Sequence, residues 1–278
     1  MEKTKLLISS DFYSVQGEGF TTGVPSYFIR LGNCNLTCGM SRLFTNKLMK
    51  EKTLQNGEIF EGDLVKEGKA TWTCDSTSQW LFRGEPKDFQ YIIDRWKEQG
   101  IYEDIRSGLI HIIWTGGEPT IKGHQKAIVE FSNYWNAYDF QNEHQGVGAY
   151  YEIETNGTIY IDDALFNDLD QINCSPKLSN SGMATRMRVN EKAITSIRKH
   201  PNYQFKFVIS NEDDIKEMFD DFINAFNIPL TNICCMPGMD SRENFHELTK
   251  WVMEMGKKYK FIALSRMHIS AYDQTTGV

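Results

Sequence analysis

No apolar run in the 278-residue chain approaches the roughly 18 residues that a membrane-crossing helix requires, which excludes a spanning segment. Positive charge is also scarce. Against 37 Asp and Glu stand 30 Lys and Arg, a net charge of −7, so the concentrated positive field that grips a phosphate backbone is missing and direct nucleic-acid binding is not expected. Phosphate-cradling glycine loops are absent too, since Gly17-Glu18-Gly19 fits neither the Walker nor the dinucleotide fingerprint. The first residues carry only a three-residue apolar patch, Leu6-Leu7-Ile8, too short for a secretory signal, so a cytoplasmic location is expected. Six cysteines are too few for a disulfide scaffold, and in a reducing compartment grouped cysteines are more often ligands or catalysts than bridges. The six histidines (111, 124, 144, 200, 246 and 268) form no His-x3-His pair, and none is assigned to metal. No stretch rich in Pro, Gly or Ser separates parts of the chain, so residues 1–278 are read as one domain.

What the chain does have is periodicity. With 40% hydrophobic and 13% aromatic residues it can build a large core. Phe89, Ile92, Ile93 and Trp96 are spaced as the apolar stripe of a helix, as are Ile128, Phe131 and Trp135, and Ile215, Met218, Phe219 and Phe222. Strands are predicted near 109–114, 149–154, 170–174, 231–236 and 259–264, and Tyr203, Phe205 and Phe207 alternate as another. Further helices are predicted near 189–199 and 243–256. Repeated βα units imply a largely parallel sheet, open or closed into a barrel, with ligands gathered at the C-terminal strand ends. Residues 39–73 break this rhythm with many charges and scattered apolar positions, and read as an insertion.

The cysteines are unevenly placed. Cys34 and Cys38 are separated by three residues and close to a strand end, and Cys74 follows beyond the insertion. Three thiolates can hold an iron–sulfur cluster while leaving one iron without a protein ligand, whereas a closed zinc site needs a fourth ligand that is not evident. Cys174, Cys234 and Cys235 fall in predicted strands and read as core residues.

Cys34-x3-Cys38 resembles the opening of the radical S-adenosylmethionine (SAM) motif, with Ser41 where the compact motif has its third cysteine. Cys74-Asp75-Ser76 resembles the Cys-Asp-Thr that closes the motif in the 7-carboxy-7-deazaguanine synthases of the 7-deazaguanine (queuosine) pathway, displaced here by the insertion. Ser14-Val15-Gln16-Gly17-Glu18-Gly19, Phe28-Ile29-Arg30-Leu31, Thr115-Gly116-Gly117-Glu118-Pro119, Glu154-Thr155-Asn156-Gly157, Cys174-Ser175-Pro176-Lys177, Phe205-Lys206-Phe207-Val208, Met236-Pro237 and Ser265-Arg266-Met267-His268 are similar to that family's landmarks, in the same order.

The resemblance implies a partial (βα)6 radical SAM barrel, an α/β fold, with the insertion in the cluster-binding loop. It implies a [4Fe–4S] cluster on Cys34, Cys38 and Cys74, and Mg²⁺ held partly by the Ser76 hydroxyl. SAM would lie on Gly117, Glu118, Ser175, Pro176, Lys177, Met236, Pro237, Gly238 and Met239, with Glu118 toward its ammonium. The implied substrate is 6-carboxy-5,6,7,8-tetrahydropterin, met by Val15, Gln16 and Gly17 through backbone groups, by the Thr115 hydroxyl, by the Arg30 guanidinium and by the terminal carboxylate of Val278. A 5′-deoxyadenosyl radical would start a ring contraction that releases ammonia. An electron donor such as flavodoxin or ferredoxin and a homodimer are implied as partners. A glycyl-radical activating enzyme and a non-catalytic protein stabilised by zinc or a cluster are the rival readings.

Overall fold

Seven strands run parallel in one twisted sheet, and two antiparallel strands extend it at one edge. The structure is a computed structural model, and it describes residues 4–41, 46, 70–72, 74, 76–77, 84–141, 148–238, 243–273 and 275. The strands are β1 (Leu6–Val15), β2 (Pro25–Leu31), β3 (Glu85–Lys87), β4 (His111–Gly116), β5 (Tyr151–Thr155), β6 (Gln171–Cys174), β7 (Tyr203–Ile209), β8 (Ile233–Pro237) and β9 (Ile262–Ala263). Their order is β3-β1-β2-β4-β5-β6-β7-β8-β9, so the sheet is an open, partial barrel rather than a closed one. From β2 onward every neighbour is parallel, while β1 pairs antiparallel with β2 and β3.

Helices follow the strands, as parallel crossovers require. They are α1 (Phe89–Glu98), α2 (Tyr102–Arg106), α3 (Lys122–Gln141), α4 (Asp163–Asp168), α5 (Thr185–Arg188), α6 (Glu191–Ile197), α7 (Glu212–Met218), α8 (Phe245–Tyr259) and α9 (Met267–Tyr272). The spacing of α1 works as predicted: Ile92, Ile93 and Trp96 are buried, and the Trp96 ring meets Tyr27, Phe131 and Trp135 edge to face. Such aromatic contacts add about 1 kcal/mol each beyond area burial.

Three predicted elements shift. The strand expected at 259–264 shrinks to β9, because α8 continues through Tyr259 and ends at Lys260, whose left-handed φ of 68° lets its N–H return to Gly256 O. The 189–199 helix is the shorter α6. The 215–222 stripe starts in α7 but passes at Phe219–Asn224 into a wider π turn. Of the predicted insertion, only residues 39–41, 46 and 70–72 lie among those described.

Side chains alternate across the sheet. Tyr27, Ile29 and Leu31 of β2, Ile112 and Trp114 of β4, Ile153 of β5, Ile172 and Cys174 of β6, Phe205 and Phe207 of β7, and Ile233 and Cys235 of β8 form the main core beneath the helices. The intervening residues point to the concave face, and there the chemistry changes. Thr115, Glu152, Glu154, Asn173, Gln204 and Lys206 are polar, and yet four of the six are buried and the other two, Thr115 and Glu154, are half-buried. Among the described residues no helix is long and apolar enough to cross a membrane.

Candidate functional site

The mouth of the concave face is built from the loops that leave the C-terminal strand ends. The chain leaving β2 carries Cys34 and Cys38, and Cys74 is tied back to it by its N–H, which donates to Cys38 O at 3.2 Å. Leu36, Cys38 and Trp72 form a second, smaller apolar cluster, against which Cys34, Cys74, Met183 and Val208 pack. Cys34, Cys38 and Cys74 therefore pack around one small apolar cluster. None of the six cysteines is in a disulfide. Burial, and then the nearby Glu118 carboxylate, push the Cys34 thiol up to about 12. Burial likewise raises Cys174, Cys234 and Cys235, so this shift reports the surroundings rather than a role.

Among the described residues no three His, Cys, Asp or Glu side chains converge as a set for one metal ion. The other cysteines are fully buried. Cys174 and Cys235 lie in the main core as predicted, but Cys234 faces the concave side, its Sγ 3.6 Å from Gln204 Oε1.

The Gly116-Gly117-Glu118 turn abuts this cysteine loop. Gly117 N–H donates to Leu31 O and Glu118 N–H to Asn33 O, each at 2.8 Å. Gly116 carries a steric demand: its φ is 107°, and a Cβ there would fall inside contact distance of the Leu31 backbone. Glu118 is 1% exposed. Its Oε1 accepts from Thr120 N–H (3.0 Å), the Thr120 hydroxyl (2.6 Å) and the Thr155 hydroxyl (2.7 Å), and its Oε2 accepts from Asn156 N–H at 2.8 Å. Asn156 in turn donates to Asn35 between the two cysteines, at 2.9 Å. Glu118 thus ties the β4, β5 and cysteine loops together.

Ser175-Pro176-Lys177 follows β6, with Lys177 Nζ 5.5 Å from the centre of the Trp72 ring. Met236, Pro237 and Gly238 close β8. A side chain at Gly238 would strike Ser210, and its N–H donates to Ile209 O at 2.9 Å. Ser76 is half-buried, next to the cysteine loop. Asp75, Met239 and Val278 lie outside the described residues.

Beneath the mouth lies a ladder of charges. The Thr115 hydroxyl donates to Glu154 Oε2 at 2.7 Å, and Lys206 Nζ reaches Glu154 Oε1 at 3.0 Å and Glu18 Oε2 at 3.3 Å. Arg266 Nε donates to Glu18 Oε1 at 2.8 Å, and His268 Nε2 is 3.9 Å from the same oxygen. Burial alone would raise the Glu18 carboxyl, but Arg266, Lys206 and His268 together hold it well below the usual carboxylate range. Burial would likewise lower Lys206, and its two carboxylate partners instead hold it above the ordinary lysine value. Arg30 faces the same chamber from β2, its guanidinium 4.7 Å from the centre of the Phe12 ring, and Phe12 stacks on Phe28.

Gln16 is 2% exposed, and its backbone serves the turn: its N–H donates to Val24 O and its C=O accepts from Gly23 N–H, both at 2.8 Å. Its side chain instead faces the chamber and donates to Glu154 at 3.3 Å. Gly17 C=O accepts from Met267 N–H at 3.0 Å, while Val15 is exposed at the strand end.

Sequence reading assigned no role to Glu18, Glu154, Lys206, Arg266 or His268. One signal was present, since a lysine between two phenylalanines in a strand must point away from the core.

The sequence matches no family model. It is similar to curated 7-carboxy-7-deazaguanine synthases. One from Pyrobaculum aerophilum is 26% identical over 267 residues, covering 96% of this chain and 94% of that protein. Another from Aquifex aeolicus is 26% identical over 276 residues, covering 96% and 95%. Among solved structures, QueE from Escherichia coli matches with a TM-score of 0.56 at 19% identity, covering 96% of each chain, a likeness of fold.

Proposed function

We propose that this chain, a homologue of the 7-carboxy-7-deazaguanine synthases and like them a radical SAM lyase, converts 6-carboxy-5,6,7,8-tetrahydropterin to 7-carboxy-7-deazaguanine with loss of ammonia. The observation that carries this reading is the joint presence of a cysteine loop and a polar concave face. Cys34, Cys38 and Cys74 pack around one small apolar cluster in the loop that leaves β2, and Thr115, Glu154, Lys206, Glu18 and Arg266 are linked to one another on the concave face.

Cys34, Cys38 and Cys74 would hold a [4Fe–4S] cluster, and Ser76 would offer its hydroxyl to Mg²⁺, which keeps most of its waters and needs few protein ligands. A cluster held there would supply the one-electron reduction that cleaves SAM, chemistry that belongs to the cofactors. Gly117, Ser175, Pro176, Lys177 and the Met236–Pro237–Gly238 turn, with Met239 beyond, would seat SAM. Glu118, with four donors already on its carboxylate, would act chiefly by fixing the loop that faces the SAM ammonium.

The chamber fits the substrate's polarity. A reduced pterin presents alternating donors and acceptors, and Glu154, Glu18 and Gln16 offer carboxylates and an amide. Arg30, stacked on Phe12, would take the substrate carboxylate through its planar fork. Val15, Gly17 and the Val278 carboxylate would complete the wall. Lys206 and Arg266 hold Glu18 ionised, and together they orient the chamber carboxylates before substrate arrives, which is how preorganised charge aids a reaction. We further propose a cytoplasmic homodimer served by flavodoxin or ferredoxin.

The test is anaerobic reconstitution with iron and sulfide, then incubation with SAM, the tetrahydropterin, Mg²⁺ and dithionite. Mass spectrometry should detect 5′-deoxyadenosine and 7-carboxy-7-deazaguanine. 5′-Deoxyadenosine alone would refute the substrate, and neither product from cluster-loaded protein would refute the enzyme reading.

A further inference from the structure

Below the chamber, one step deeper along the same strands, lies a second polar layer that touches neither mouth nor core. Glu152 precedes Glu154 by two residues on β5, and Gln204 precedes Lys206 by two on β7, so all four share the concave face. Glu152 has no exposed surface. Its Oε2 accepts from the Thr21 hydroxyl at 2.9 Å and from Asn173 Nδ2 at 2.6 Å, and its Oε1 lies 2.6 Å from His111 Nδ1. Gln204 Oε1 accepts from Phe20 N–H at 2.8 Å, and its Nε2 donates to Asn173 Oδ1 at 2.5 Å. Gly19 completes the contact: its φ is 79°, and a Cβ there would collide with the Gln204 amide.

Three consecutive residues, Gly19, Phe20 and Thr21, are therefore clamped by the deeper layer. Gln16 and Glu18, immediately before them, reach into the chamber toward Glu154, Lys206 and Arg266. One loop is held at adjacent positions by two layers. A buried carboxylate held by a hydroxyl, an amide and a histidine is a costly way to fill space, since apolar side chains of similar volume would pack without the desolvation penalty. What the polar floor supplies instead is a single loop conformation.

We propose that Glu152, Asn173 and Gln204, with Thr21, are positioning residues that fix the 16–21 loop from below and thereby set the affinity for the pterin-class substrate while leaving SAM binding alone. This inference rests on the functional reading above. In a chamber of directed hydrogen bonds a loop displaced by about 1 Å loses much of its binding advantage.

Gln204→Leu and Thr21→Val remove the clamps, and Thr21→Ser restores the hydroxyl. Hydrogen exchange on the cluster-loaded protein should show amides of the 16–24 segment exchanging roughly tenfold faster in both clamp variants, since a loop amide that loses its acceptor opens more readily. KM for the tetrahydropterin should rise roughly tenfold, with kcat and SAM affinity within about twofold, the pattern of lost ground-state binding. Thr21→Ser should behave as wild type. Faster exchange with an unchanged KM, or KM and SAM affinity moving together, would overturn the proposal. If the wild-type chain does not turn over the pterin at all, the functional reading fails, and unchanged exchange in the two variants would still refute the clamp by itself.

Discussion

Lys206→Met tests whether the chamber is held together by charge. The lysine side chain is 3% exposed and sits between Glu154 at 3.0 Å and Glu18 at 3.3 Å, themselves 23% and 18% exposed. Methionine keeps the length and the apolar stem and deletes only the ammonium. Breaking a buried ion pair from one side typically costs about 3–5 kcal/mol, because the remaining charge is left unpaired in a poor solvent. Two features move the expectation to the lower end. Both carboxylates keep some water, and Glu18 retains Arg266 at 2.8 Å. A loss of about 3 kcal/mol is expected, equivalent to a Tm lower by roughly 6–12 °C in a chain of this size.

The assay is urea denaturation of the anaerobic apoprotein at pH 7, with Glu154→Gln and the double variant alongside. Once Glu154 is neutral, the ammonium has less to balance, so the two substitutions should couple by at least about 1 kcal/mol. The pH dependence has a fixed sign. Glu18 is held below its ordinary value of 4.5, so its stabilisation is present above that pH and fades as acid protonates the carboxylate. The Lys206→Met deficit should therefore be full at pH 7 and shrink below about pH 4.5. A deficit under about 1 kcal/mol, or a double variant additive within about 0.5 kcal/mol, would refute the ladder as an energetic unit.

Other perturbations separate the mouth from the scaffold. Cys38→Ala and Cys74→Ala should each abolish the visible absorbance of the reconstituted cluster, whereas Cys174→Ala, deep in the main core, should retain it. Gly116→Ala combines a φ of 107° with a side chain driven against Leu31 and should cost about 3 kcal/mol or more in urea midpoints, while Gly23→Ala, with a φ of 94° but open space around it, should cost only the backbone strain of about 1 kcal/mol. Burial lowers the His124 pKa below 6.5, and its Nε2 meets Gly32 O at 2.7 Å, so the folded state resists the proton that the unfolded chain accepts. Stability should fall as pH drops below about 6.5, and His124→Gln should flatten that slope in the urea midpoint between roughly pH 5 and 7.

The alternation of βα units and the helix stripe of α1 were legible in the sequence, because each depends on local spacing. The antiparallel β1–β2 edge was not. Leu6-Leu7-Ile8 opens as an apolar run, but the rest of β1 mixes serines, Asp11 and aromatics, and only its pairing with β2 makes it a strand. The short β9 was overestimated for the opposite reason: Tyr259 and Phe261 suit a strand, but α8 claims the first of them before turning back at Lys260.

The chamber itself shows why a site can be written in the sequence and still be unreadable. In Tyr151-Glu-Ile-Glu-Thr155 and Gln204-Phe-Lys-Phe-Val208 the polar residues alternate with apolar ones, the pattern of a strand with one face in water. In a sheet that curls, that face is enclosed instead, and a charge there survives only with a partner. The partner is not local: Lys206 finds Glu154, 52 positions earlier, and Glu18, 188 positions earlier. Alternation reveals which residues leave the core, but only the parallel register, which sets Arg30 beside Thr115 and Lys206 beside Cys234, reveals which of them meet. The pairing of charges is thus a property of topology, and the residues whose burial looks least affordable in the sequence are those around which the chamber is built.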